Sequence, residues 1–233
     1  MNHGKLYIVS TPIGNLDDMT FRAVETLKAV DIILAEDTRH TSKLLNHFDI
    51  GTKLFSYRDQ NHSKVFRKIQ DFLDSGMNLA LVSDSGTPLI SDPGFKLVRG
   101  LRDAGYELVP IPGCSALTAA LSISGIPTDA FTFWGFLPKS SGKITSILKK
   151  YSDLETTLIL YESPFRVNKL LKYIVDVLGG NRMVFIGNEL TKINEKCFYG
   201  KASEILETLG YTKLKGEIVV IISKQEKSSR NFD

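Results

Sequence analysis

Residues 6–35 read LYIVSTPIGNLDDMTFRAVETLKAVDIILA, and their rhythm decides the fold class. LYIVS at 6–10 is a short apolar run rich in β-branched residues, the pattern of a strand buried on both faces. A loop holding Pro12 and Gly14 interrupts it. Phe21, Val24, Leu27 and Val30 then recur every three residues, which reads as one face of a helix. IILA at 32–35 is a second buried run, so the stretch is a strand, loop, helix and strand. Outward from it the scheme repeats, with helices expected around 42–48, 65–73 and 95–104 and strands near 54–57, 79–83 and 108–111. Gly105 marks the end of the last of these helices. Such alternation predicts a mostly parallel sheet covered by helices.

The pattern pauses at Pro110, Pro112 and Gly113, and a small-residue helix at 115–124 is a candidate hinge. Beyond it a second series is expected, with strands near 131–135, 157–161, 183–186 and 217–222 and helices near 144–151, 165–178 and 202–209. A hairpin-like strand around 196–199 makes this second sheet mixed. The expected organisation is an N-terminal α/β domain over 1–113, a C-terminal α/β domain over 114–225 and a polar tail over 226–233. Polar termini of this kind fray.

With 233 residues, 42% hydrophobic and 24% charged, the chain has enough apolar side chains for a substantial core, and disordered or fibrous classes fit poorly. Its apolar runs, such as 218–222, fall far short of the roughly 18 residues that span a bilayer. No basic segment followed by an apolar one opens the chain, so a cytoplasmic protein is expected. The two cysteines, Cys114 and Cys197, exclude a disulfide framework, lack zinc spacing and read as structural. The net charge of +3 is mild. Locally the bias is larger, because 139–172 holds seven basic residues against three acidic ones. That stretch is either a solvated helix surface or a surface that contacts phosphates.

Four loops rich in Gly, Pro, Ser, Thr and Asp each follow a predicted strand: STPIGNLDD (10–18), EDTRHT (36–41), SDSGTPLISDPG (83–94) and IPGCSA (111–116). In an open α/β sheet the carboxyl ends of the strands form the ligand crevice. The first loop lacks GxGxxG and the chain lacks GxxxxGK[ST], which disfavours both a Rossmann dinucleotide site and a P-loop. No GxSxG elbow, HExxH pair or EF-hand spacing occurs either, which disfavours a serine hydrolase or a metal site. The remaining class is a crevice of backbone groups and small hydroxyls, suited to a polar, roughly neutral or zwitterionic ligand.

TPIGNLDDMTFRA, AEDTRHTSKLL, SDSGTPLISDPG, PGCSALTAALSISG, FTFWGFLPK, LYESPFR, NELTK and KGEIVVII, spread over 6–222, together resemble the ribosomal RNA small subunit methyltransferase I family. These are ribose 2′-O-methyltransferases of the tetrapyrrole methylase-like, class III S-adenosylmethionine-dependent group. Asn188, where Arg is usual, and Ser85, where Ala is usual, are small departures. The resemblance implies a two-domain α/β fold with a mostly parallel N-terminal sheet and a mixed C-terminal one, cofactor in the cleft between the domains, and a homodimer. It implies S-adenosylmethionine as cofactor, held by Pro12, Ile13, Gly14, Asp84, Gly86, Thr87, Ile90, Ser115 and Ala116, with Tyr161 and Gly216 from the second domain. Gly14 and Gly86 permit close backbone approach, and the helix start at Ser115 offers backbone donors for a carboxylate. The implied reaction is methylation of a cytidine 2′-hydroxyl in 16S rRNA near the decoding centre, on free rRNA or the 30S subunit.

Methyl transfer requires the hydroxyl to be aligned and its proton removed. The loop carrying Glu36, Asp37 and Arg39 follows a strand end yet is not assigned to the cofactor, so it is expected to position the substrate and handle its proton. The alternative is an ion pair of Glu36 with Arg39 at a helix start. Arg22, Arg39, Arg58, Lys139 and Arg166, with Trp134 and Phe136, are candidate RNA contacts, the two aromatics otherwise being strand core. A tetrapyrrole C-methyltransferase and a non-catalytic ribosome-binding factor are the rival readings.

Overall fold

The computed structural model describes residues 3–152, 154–210 and 212–225. The tail expected at 226–233 lies outside them. The chain divides into two compact units, Met1–Ser115 and Ala116–Asp233.

In the first unit β1 (Leu6–Val9), α1 (Phe21–Ala29), β2 (Ile32–Ala35), α2 (Thr38–His47), β3 (Lys53–Ser56), α3 (His62–Asp74), β4 (Leu79–Val82), α4 (Phe95–Asp103) and β5 (Leu108–Ile111) follow one another. The five strands are all parallel, in the order β3-β2-β4-β1-β5. Successive strand residues feed two cores. Val9, Ile33, Ala35, Ala80 and Val82 meet Ala23 and Leu27 of α1 and Leu45 of α2. Leu6, Ile32, Leu34, Leu79 and Leu81 meet Ile69 and Leu73 of α3 and Leu97 and Leu101 of α4. Helices therefore cover both faces, which is why these strands read as continuous apolar runs.

The second unit opens with α5 (Ala116–Ile123) and continues through β6 (Phe131–Phe136), α6 (Ser141–Ser152), β7 (Thr157–Glu162), α7 (Val167–Leu178), β8 (Met183–Asn188), β9 (Lys196–Lys201), α8 (Ala202–Gly210) and β10 (Ile218–Ile222). Its sheet runs β6-β7-β10-β8-β9. β6 and β7 are parallel and the other pairs antiparallel, so the sheet is mixed as the sequence predicts. Leu158, Leu160, Val184, Ile186, Val220 and Ile222 face a core completed by α6, α7 and α8.

The buried face of α1 and the starts of α2 and α7 differ from the sequence reading. Phe21 is 94% exposed, and α1 buries Ala23 and Leu27 instead. A period of three falls about 60° short of a helical turn at each step, so the stripe from Phe21 to Val30 winds around the helix rather than holding one face. α2 begins at Thr38, not near 42, because the Asp37 side chain caps it by accepting from Arg39 N at 2.9 Å. Thr38 to Thr41, read as loop, are its first turn. α7 begins at Val167, which leaves Phe165 in the turn before it. Among the described residues no helix is long and apolar enough to cross a membrane.

Candidate active site

β1 and β4 are adjacent, yet the helices that follow them lie on opposite faces of the sheet. Their loops must diverge, and a crevice opens at the carboxyl ends of the two strands. Thr11 N donates to Gly86 O at 2.9 Å and Gly86 N to Thr11 O at 3.1 Å, which locks the first loop to the third. The Thr11 hydroxyl donates to Ser83 O at 3.2 Å and the Ser83 hydroxyl to Gly86 O at 3.1 Å. The Thr87 hydroxyl donates to Cys114 O at 2.9 Å, so its oxygen accepts the Ser10 hydroxyl at 3.0 Å. The Cys114 thiol donates to Asp18 O at 3.1 Å. One hydroxyl network thus fastens the loops after β1, β4 and β5. Ser10, Thr11 and Ser83, all buried, belong to it and were missed by the sequence reading; small hydroxyls at a strand end were the available signal.

Gly86 takes φ +81, and a Cβ there would meet Ile13 Cγ2 at 3.3 Å. Ile13 is buried while Ile90 is exposed, so of these two apolar residues of the expected cofactor set Ile90 presents the freer surface. Pro12, Gly14, Asp84, Gly86, Thr87 and Ser115 share this end of the first unit. Ser115 immediately precedes α5, whose first residue is Ala116.

The second loop, 36–41, joins through Asp84, whose Oδ1 accepts Asp37 N at 3.2 Å. The two carboxylates of this loop are set apart by their partners. Asp37 accepts from Arg39 Nε at 3.3 Å and Nη2 at 3.2 Å as well as from Arg39 N, and these bonds pull its carboxyl down to about 2. Arg39 therefore pairs with Asp37, not with Glu36. Burial pushes the Glu36 carboxyl up, and the nearby Asp84 charge adds to that push; Arg58 opposes it. Arg58 Nε donates to Glu36 O at 2.9 Å and fixes the backbone there. A carboxylate with a raised pKa beside strand-end loops of an open α/β sheet is a general-base candidate. Asp37 has no such character. Arg22 Nη2 donates to Pro110 O at 2.8 Å, which ties α1 to β5.

In the second unit Tyr161 lies opposite Val219, and Gly216 stands just before β10, at the same end of the sheet. Gly216 has φ +73 with the Glu189 carboxylate directly against it, so no side chain fits. Glu189 Oε1 accepts from Lys192 Nζ at 2.8 Å and Glu217 N at 2.9 Å. Asn188 donates to Lys215 O at 2.6 Å and Glu217 O at 3.2 Å, so it braces the same loop. Trp134 and Phe136 are exposed, not strand core. Arg166 is bound to Glu162, Leu137 and Pro138.

A family model described as Tetrapyrrole (Corrin/Porphyrin) Methylases matches residues 5–206. The chain is 47% identical over 93% of its length, and 76% of the other protein's, to "Ribosomal RNA small subunit methyltransferase I" of Vibrio cholerae. It is 44% identical over 96% of its length to the protein of that name from Thermotoga maritima, all of which it covers. The crystal structure of uroporphyrin-III C-methyl transferase from Thermus thermophilus complexed with S-adenyl homocysteine superposes with a TM-score of 0.64 at 19% identity, over 94% of this chain and 97% of that one. The sheet orders and loops described above are thus a variant of a known architecture, and the chain belongs to the tetrapyrrole methylase family, among relatives named ribosomal RNA small subunit methyltransferase I.

Proposed function

We propose that the protein is an S-adenosylmethionine-dependent methyltransferase that modifies a cytidine 2′-hydroxyl in 16S rRNA near the decoding centre. It acts in the cytoplasm as a homodimer. The observation that carries the reading is the interlocking of four strand-end loops around Gly86 and Thr87, with Glu36 raised beside them. The residues suit the cofactor: Gly86 leaves its Cα face bare, Thr11 and Thr87 line the turn with hydroxyl groups, and Ile90 offers apolar surface. When bound, the cofactor supplies an electrophilic methyl group. The chain's own work is to orient the ribose hydroxyl and accept its proton at the Glu36 carboxylate, while Arg39, held by Asp37, faces solvent for a neighbouring phosphate. The relatives' names favour rRNA over a tetrapyrrole ring, as does the basic stretch at 139–172.

Mapping 2′-O-methyl groups in rRNA from cells with and without the gene tests this. One cytidine of the small subunit should lose its methyl group in the deletion and regain it on complementation; an unchanged map refutes the reading. RNA binding is also expected to fall by roughly tenfold or more between 50 and 200 mM salt, because phosphates are held by lysines. The double substitution Lys149→Glu and Lys150→Glu on exposed α6 should weaken it further without changing cofactor affinity. Insensitivity to both salt and substitution would mean that the stretch is a solvated face.

A further inference from the structure

At the ends of β6 and β7 the second unit has two short connections, FLPK at 136–139, which begins on the last residue of β6, and SPFR at 163–166. They are fastened together from beneath. Glu162, buried at the end of β7, accepts from Ser163 N at 2.8 Å and faces Arg166 Nε at 3.2 Å. Arg166 Nη2 reaches across to Leu137 O at 2.9 Å and Pro138 O at 3.2 Å. Burial raises the Glu162 carboxyl, opposed by the Ser163 N–H and the Arg166 charge. A carboxylate is buried in this way only when a cation and hydrogen bonds satisfy it, and here the half-buried Arg166 supplies the cation while its bonds to Leu137 O and Pro138 O link the two turns.

Each turn then exposes an aromatic ring. Phe165 is 96% exposed, next to Arg166; Phe136 is 57% exposed, next to Leu137. The Phe136 ring is braced edge-on by Tyr161 at 5.8 Å, which leaves the remainder of the ring to solvent. Lys139 is exposed on the same turn, and Lys143, Lys169 and Lys172 are exposed on the helices that follow the two turns. Rings presented among cations suit a polyanion with flat apolar faces, which is an unpaired nucleotide strand; an acidic protein would not need the rings.

We propose that Phe136 and Phe165, with Lys139, form a stacking platform for an unpaired base of the RNA substrate, held in register by the ion pair of buried Glu162 with Arg166. This rests on the rRNA reading above and assigns Glu162 and Arg166 as positioning residues.

The test uses the full chain and a short single-stranded oligoribonucleotide carrying one 2-aminopurine, whose fluorescence is quenched by stacking. Quenching on binding is expected for the native protein. Phe165→Ala, which removes no buried surface, should lower affinity by roughly 5- to 150-fold, the range for stacking one base, and abolish the quench. Phe165→Trp should restore both. Glu162→Gln should raise KM for RNA with kcat and cofactor affinity little changed. Unchanged affinity and quench in both Phe136→Ala and Phe165→Ala, while the native protein still binds and methylates RNA, overturns the platform alone. A native protein that neither binds the oligonucleotide nor methylates rRNA overturns the reading beneath it. A shift in oligomeric state on Phe165→Ala would assign the ring to contact with a second copy, and the platform would again fall.

Discussion

Glu36→Gln is expected to lower single-turnover methylation by about 10² to 10⁴, the usual worth of general-base assistance, while cofactor affinity and the circular dichroism spectrum stay as they are. The ribose hydroxyl is a poor nucleophile at neutral pH, and the substitution keeps the shape of the side chain but removes its ability to take a proton. The pH profile distinguishes this residue from its neighbour. A base works when deprotonated, so activity is lost as pH falls through its pKa. Burial and the Asp84 charge raise the Glu36 value above its ordinary 4.5, and the acid limb should lie correspondingly high and vanish in Glu36→Gln. Asp37, held near 2 by Arg39, would place that limb far lower. Asp37→Asn should therefore act mainly through the α2 cap. An acid limb that survives Glu36→Gln, or turnover within a few-fold of native, removes Glu36 from the reaction.

Thr87→Arg is expected to abolish cofactor binding measured by titration calorimetry. The Thr87 hydroxyl joins three loops, donating to Cys114 O and accepting from Ser10, so the substitution both fills the turn beside Gly86 and cuts the link that holds it. Thr87→Ser keeps the hydroxyl and should keep binding close to native. Thr87→Val leaves the volume unchanged and isolates the hydrogen bonds, with a weaker but measurable site as the expected result. Retained binding in Thr87→Arg would place the cofactor elsewhere.

The clearest parts of the molecule in its sequence were those governed by local periodicity. Runs such as LYIVS and IILA are apolar at every position because helices cover both sides of the sheet, and no tertiary knowledge is needed to see that. The second sheet's mixed character was legible too, since KCFYGK follows the preceding strand closely enough to pair back on it. Where the reading slipped, a competing local force was responsible. Asp37 caps α2 and turns apparent loop residues into helix, and Phe21 keeps the spacing of a buried residue while facing solvent.

The sequence by itself determined that the chain is an α/β protein with small-residue loops at its strand ends, and the motifs that mark those loops also pointed to the family. Only the tertiary structure decided how the work is divided among side chains of the same type. Glu36 and Asp37 are adjacent carboxylates in one motif, yet one is desolvated beside Asp84 and the other is neutralised by Arg39. Arg166 and Arg39 read alike as phosphate ligands, but Arg166 is committed to Glu162 and two carbonyls while Arg39 remains exposed. Such differences arise from partners far apart in sequence, and a side chain's pKa and availability depend on those partners rather than on its neighbours along the chain.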